Sequence, residues 1–142
     1  MMRFGLAVLA YVLPTFGLGF VWHLVLFDDY YRALHIYRDD IIIPFGLLSM
    51  LIQGGIFAWI YGRTLAQSAT SFGSRALLYG LLGAVLSWSF TTLAVAAKNI
   101  MTSVPGYLLI ETGFTLAQWI MVAPLTVLAF RRSVKDSALA QA

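Results

Sequence analysis

The sequence predicts an all-α fold: a four-transmembrane-helix bundle with a short interfacial helix in the first outer loop. Three observations carry that expectation. Four apolar runs, Phe4–Phe27, Ile41–Tyr61, Ala76–Ala97 and Tyr107–Phe130, fill most of the 142 residues. Each is about 20 residues or slightly more, the length an α-helix needs to cross ~30 Å of hydrocarbon. Almost every charge falls in the gaps between runs, in a chain that is 61% hydrophobic and 11% charged, with mean hydropathy +0.85. The runs are also apolar all round, whereas a water-soluble bundle carries a polar stripe on every helix. One domain is expected over 1–132, with a short polar tail over 133–142.

Span 1 comes directly after Arg3, so it has to be weighed as a secretory signal. Such a signal has an apolar core of about 7–15 residues and then small residues at a cleavage site. This run is longer and ends in His23-Leu24-Val25-Leu26-Phe27-Asp28, so it is read as a retained span. Pro14 here and Pro124 in span 4 should kink their helices and free carbonyls that neighbours must satisfy.

The first outer loop reads Asp-Asp-Tyr-Tyr-Arg-Ala-Leu-His-Ile-Tyr-Arg-Asp-Asp over 28–40. Tyr30, Leu34 and Tyr37 fall at i, i+4 and i+7, so a helix would show one aromatic edge, its start capped by Asp28 or Asp29. Tyrosines favour the membrane boundary, which suits a helix lying flat as an anchor; a lid over an outward-opening site is the other reading.

Small residues mark the contact faces of the spans, since close approach rather than hydrophobicity drives helix association in lipid. Gly80, Gly83 or Ala84, Ser87 and Thr91 form a strip along span 3. Gly17 and Gly19 in span 1, and Gly46, Gly54 and Gly55 in span 2, are further candidates. The 62–75 loop reads as a plain solvated connector, and Lys98–Gly106 as a short outer turn ended by Pro105-Gly106.

Orientation is set by the cations. Arg3, Arg63, Arg75, Arg131, Arg132 and Lys135 fall on one side. Arg32, Arg38 and Lys98 fall on the other, diluted by Asp28, Asp29, Asp39 and Asp40. Lys and Arg accumulate in short cytoplasmic loops, so both termini are expected in the cytoplasm. The net charge of +3 reflects this sorting, with no dense basic block to suggest nucleic acid. The absence of cysteine removes disulfides, thiol catalysis and thiolate-bound metal.

Glu111 is the one carboxylate inside a span, about six residues or roughly 9 Å below the outer edge. An ionisable group at that depth should face the bundle and have a partner. Thr115 and Gln118 continue its face. His23 and Trp22 near the end of span 1, and Thr91 in span 3, lie at similar depth, while Gln53 of span 2 lies deeper. The spacing thus permits one cluster of Trp22, His23, Thr91 and Glu111. An acid beside an imidazole in low dielectric can exchange protons near neutral pH, can hold a ligand head group, or can simply pin helix register. No spacing supports a metal or haem site, and no cofactor or catalytic residue is assigned. Ser87, Ser89 and Thr91 read as interhelical donors, because the nearest base, Lys98, is at the surface.

Gly19-Phe20-Val21-Trp22 closing span 1, then Phe27 through Tyr30-Tyr31 and Leu34, and the Gly80/Gly83 strip leading to Ser87–Thr92, resemble small four-span bacterial membrane proteins known only as domains of unknown function. The resemblance covers most of residues 4–130. It implies the fold and a bacterial inner-membrane location, and brings no activity. Small multidrug-resistance exporters share the length and span count, but their essential carboxylate is in the first span, where this chain has none between Arg3 and Asp28.

The expected role is non-enzymatic: binding a lipid or hydrophobic small molecule, or serving as accessory subunit of a membrane complex. The alternative is a small proton-coupled transporter using Glu111 and His23. Membrane lipids are the expected surroundings, and four short spans leave helix surface for self-association or a larger assembly.

Overall fold

The computed structural model describes residues 1–38 and 40–131. The predicted tail, with Arg132 and Lys135, lies outside the described residues, as does Asp39. Four helices are long and apolar enough to cross a membrane: span 1 Met2–Leu26, span 2 Ile43–Thr64, span 3 Phe72–Ala96 and span 4 Val104–Ala129. They match the four apolar runs to within a few residues at each end.

The ends are set by local chemistry. Pro44 sits in the first turn of span 2, where a missing N–H is harmless. Ser71 caps span 3 by accepting from the Ser74 amide at 3.1 Å, and Ser103 caps span 4 by accepting from the Gly106 amide at 3.1 Å. Pro105-Gly106 therefore opens span 4 instead of ending the preceding turn. Both Pro14 and Pro124 lie within continuous helix.

Spans 1 and 3 each contain a π-helical stretch, Trp22–Leu26 and Trp88–Leu93. In the first, the Phe27 amide reaches back five residues to the Trp22 carbonyl at 3.0 Å. Each stretch inserts an extra residue into the turn and so rotates the chain beyond it; such stretches are frequent at functional sites.

Span 1 packs between spans 2 and 4, and span 4 between spans 1 and 3. Spans 2 and 3 approach through aromatic rings, Phe57 and Tyr61 against Tyr79, with centroids 6.5 and 5.1 Å apart. Trp119 of span 4 completes this core, 4.7 Å from Phe57 and 5.5 Å from Tyr79. The small-residue strip of span 3 is what admits it. A Cβ at Gly83 would overlap the Trp119 indole, and one at Gly80 would lie 3.2 Å from the Ala123 methyl. Gly54 similarly lets span 2 approach the Tyr11 ring. Gly17, Gly46 and Gly55 have nothing within 4 Å of such an added carbon, so these three are not contact points.

The exterior is apolar. Leu13, Phe45, Leu77, Val85, Phe90, Leu109 and Ile120 all point outward, and Phe90 and Ile120 are more than two-thirds exposed at 72% and 73%. Inside sit Thr15, Thr92, Glu111, Thr115, Gln118 and Thr126. Apolar surface outside and polar side chains between helices is the arrangement expected of an integral membrane protein.

The first loop forms a short helix, Asp28–Ala33. Asp28 does not cap it; it lies in the first turn and accepts from Arg32 at 2.7 Å. The helix closes on His35 in the left-handed region, φ 55°. The predicted aromatic edge is only partly right: Leu34 is buried and Tyr37 half-buried, but Tyr30 is exposed and Tyr31 goes fully inside. Thr102 ties this loop to the next, its hydroxyl donating to the Ala33 carbonyl at 2.8 Å and its amide to the Leu34 carbonyl at 3.2 Å. The loop is thus folded over the bundle end.

Candidate functional site

Beneath that loop lies a cavity of ≈ 610 Å³, bounded by all four spans and the loop itself. Most of its wall is apolar, from residues such as Phe16, Phe20, Leu47, Met50 and Phe114. Two hydrogen-bonded polar groups stand in or beside it, and Arg38, Ser49, Ser87 and Thr91 add further polar lining.

The first is built on Glu111. Tyr31 donates to Glu111 Oε1 at 2.6 Å, and His23 Nε2 stands 3.2 Å from the same oxygen. The other ring nitrogen, Nδ1, is 2.9 Å from the Gly19 carbonyl. A carbonyl only accepts, so Nδ1 carries a hydrogen; the tautomer is assigned from its partners. A hydrogen bond between Nε2 and Oε1 then needs one proton, donated by the Nε2 of an imidazolium to the carboxylate or by the carboxylic acid to the Nε2 of a neutral imidazole. The geometry therefore defines a one-proton pair. Rings enclose it: Phe114 lies 4.5 Å from the His23 ring, Tyr31 lies 4.8 Å away, and Tyr37 stacks on Tyr31 at 5.0 Å and 6°. Burial, and next the Glu111 carboxyl, push the Tyr31 hydroxyl well above the ordinary phenol range. It stays a donor at every ordinary pH. Burial likewise raises Tyr37, with the Glu111 charge second.

The second group lies deeper. Tyr11 donates to Gln53 Oε1 at 2.7 Å. Gln118 Nε2 donates to the Tyr11 hydroxyl at 3.3 Å and to Thr15 at 3.1 Å. This chain joins spans 2, 1 and 4 and lines the deep side of the cavity, where Thr115 also faces it.

Of the sequence candidates, His23, Gln53, Thr91, Glu111, Thr115 and Gln118 all line this cavity. Only His23 joins Glu111 directly. Thr91 faces the cavity but returns its hydroxyl to the Ser87 carbonyl of its own helix at 2.7 Å. Trp22, like Tyr31, stands outside the lining; its ring is 4.8 Å from Phe27 and 6.1 Å from Phe114, and its indole approaches the Tyr31 hydroxyl, not Glu111. The expected cluster of Trp22, His23, Thr91 and Glu111 is thus a pair, His23 and Glu111, completed by Tyr31 instead.

Tyr31, Tyr37, Phe114, Tyr11 and Thr15 were not legible as site residues. Tyr31 had one signal: with Leu34 it marks an i, i+3 edge, adjacent to the Tyr30 edge. Choosing between the two needs the rotation introduced by the π-helical stretch ahead of it. Comparison with family models, with curated proteins and with solved structures gave no match.

Proposed function

We propose that this chain is a multi-pass protein of a bacterial inner membrane, with both termini cytoplasmic. Its cavity binds a lipid or hydrophobic small molecule non-enzymatically, and the His23–Glu111–Tyr31 group holds the ligand's polar end. The observation that carries this reading is the cavity itself: ≈ 610 Å³, with mostly apolar walls and one buried acid. That volume falls in the range of small-molecule sites, where a few placed polar groups orient a ligand held by apolar contact. An acid kept at such depth is a group that function retains against its insertion cost.

Native mass spectrometry of the protein purified in mild detergent tests it. The wild type should carry a small-molecule adduct, and Glu111→Gln should lose it while keeping its helical circular dichroism. Equal retention by both would overturn the reading. A second reading, proton-coupled transport, is favoured by the single proton the His23–Glu111 geometry requires. The same variant decides it: unchanged proton-driven flux in vesicles removes that model. Orientation is open to labelling because the chain has no cysteine. Ser68→Cys should react with an impermeant maleimide only from the cytoplasmic side; reaction from outside reverses the topology.

A further inference from the structure

A second concavity, ≈ 740 Å³, lies at the opposite end of the bundle. Arg3 at the start of span 1, Arg75 at the start of span 3 and Arg131 just past span 4 all line it, with Gln67 and Ser68 of the 62–75 loop. The loop therefore contributes part of this wall. No Asp or Glu is among the described lining residues, and Asp28, Asp29, Asp40 and Glu111, the described acids, belong to the other end.

Two of the arginines are held in place. Arg131 sits over the Phe72 ring at 5.9 Å, which fixes its guanidinium at the rim. Phe130 packs on Gly62, where an added Cβ would lie 3.3 Å from its ring, so the end of span 4 is pressed against span 2. Arg75 lies beside Tyr61 and acts on its hydroxyl, which turns the guanidinium stem inward and leaves its Nε buried. Guanidinium forks match the oxygens of phosphate, and basic pockets between spans on the cytoplasmic side suit anionic head groups.

We infer that Arg75 and Arg131 form a phosphate-binding site, separate from the Glu111 cavity. Its ligand is a phosphate-bearing anion, supplied by an anionic phospholipid head group or by a soluble phosphate.

Full-length protein in detergent is titrated with phosphatidylglycerol, phosphatidylcholine and inorganic phosphate, with adducts read by native mass spectrometry. Phosphatidylglycerol should bind, and Arg75→Gln combined with Arg131→Gln should weaken it about tenfold. Arg63→Gln removes a charge at the same end but outside the lining, and should leave binding unchanged. Inorganic phosphate binding as tightly as the lipid, with the same loss in the double variant, supports the site with a soluble source. Phosphate failing to compete supports the lipid source. Should the double variant fold poorly, Arg131→Gln alone, beyond the end of its helix, is used and should still weaken binding severalfold. Equal binding by wild type and variant, or an equal loss on Arg63→Gln, overturns the inference.

Discussion

The two halves of this bundle solve opposite problems with the same four helices. In the half around Tyr79, rings from three spans interlock: Tyr61 and Phe57 from span 2, Tyr79 from span 3 and Trp119 from span 4. In the half around Glu111, the same spans surround a cavity of ≈ 610 Å³. Tyr11 is the boundary, its ring 5.6 Å from Phe57 and its hydroxyl turned to Gln53. The difference lies in side-chain size against glycine. Gly80 and Gly83 admit Trp119 and close one half, while the other relies on a folded loop for its cover. A tightly packed half supplies rigidity, and that rigidity allows an acid to be held in the looser one.

The largest test of this contrast compares two aromatic truncations. Trp119→Ala should destabilise the protein by about 3–5 kcal/mol, because it empties the closed core and orphans Ser87, which accepts from its indole at 3.1 Å. Phe114→Ala, whose ring already borders the cavity, should cost well under half of that. Denaturant unfolding in micelles measures both; equal losses would show that the halves do not differ in packing.

Next in size is Tyr31→Phe. It removes a hydrogen bond to a buried acid and should lower stability by about 1.5–3 kcal/mol. The same change should loosen the 27–42 loop without altering the packed half. Hydrogen exchange would show protection lost across that loop alone. Protection lost equally around Tyr79 would mean that the halves act as one unit.

The smallest effect is expected at His35, whose φ of 55° is unfavourable for a side chain with a Cβ. His35→Gly should raise stability by up to about 1 kcal/mol, since glycine adopts that conformation freely. A loss of stability instead would mean that the imidazole makes up for the backbone strain.

How much of the molecule was legible in its sequence divides along physical lines. The four spans were readable because hydrocarbon thickness fixes their length and their hydropathy lacks a polar face. Glu111 and His23 were readable because charge is rare inside such spans and both could be placed by depth. Azimuth was not readable. Counting residues from the membrane edge places a side chain along the axis, but its direction around the axis depends on helix phase, which the π-helical stretches change. Hence Thr91 was placed at the right depth and turns its hydroxyl to its own helix, and Tyr30 was chosen where Tyr31 enters. The Gly83–Trp119 fit was half visible: the strip is in the sequence, but the ring that fills it is 36 residues away.

The five-residue stretch Trp22–Leu26 carries a wider consequence. A surplus residue inside a turn amounts to about 100° of rotation at 3.6 residues per turn. Removing a single position, Val25 for instance, would restore regular winding and swing the adjoining loop by that angle, steering Tyr31 away from its acid with every side chain chemically intact. In this molecule a deletion acts as a twist, and the seating of the loop on Glu111 depends on the winding of one helical turn.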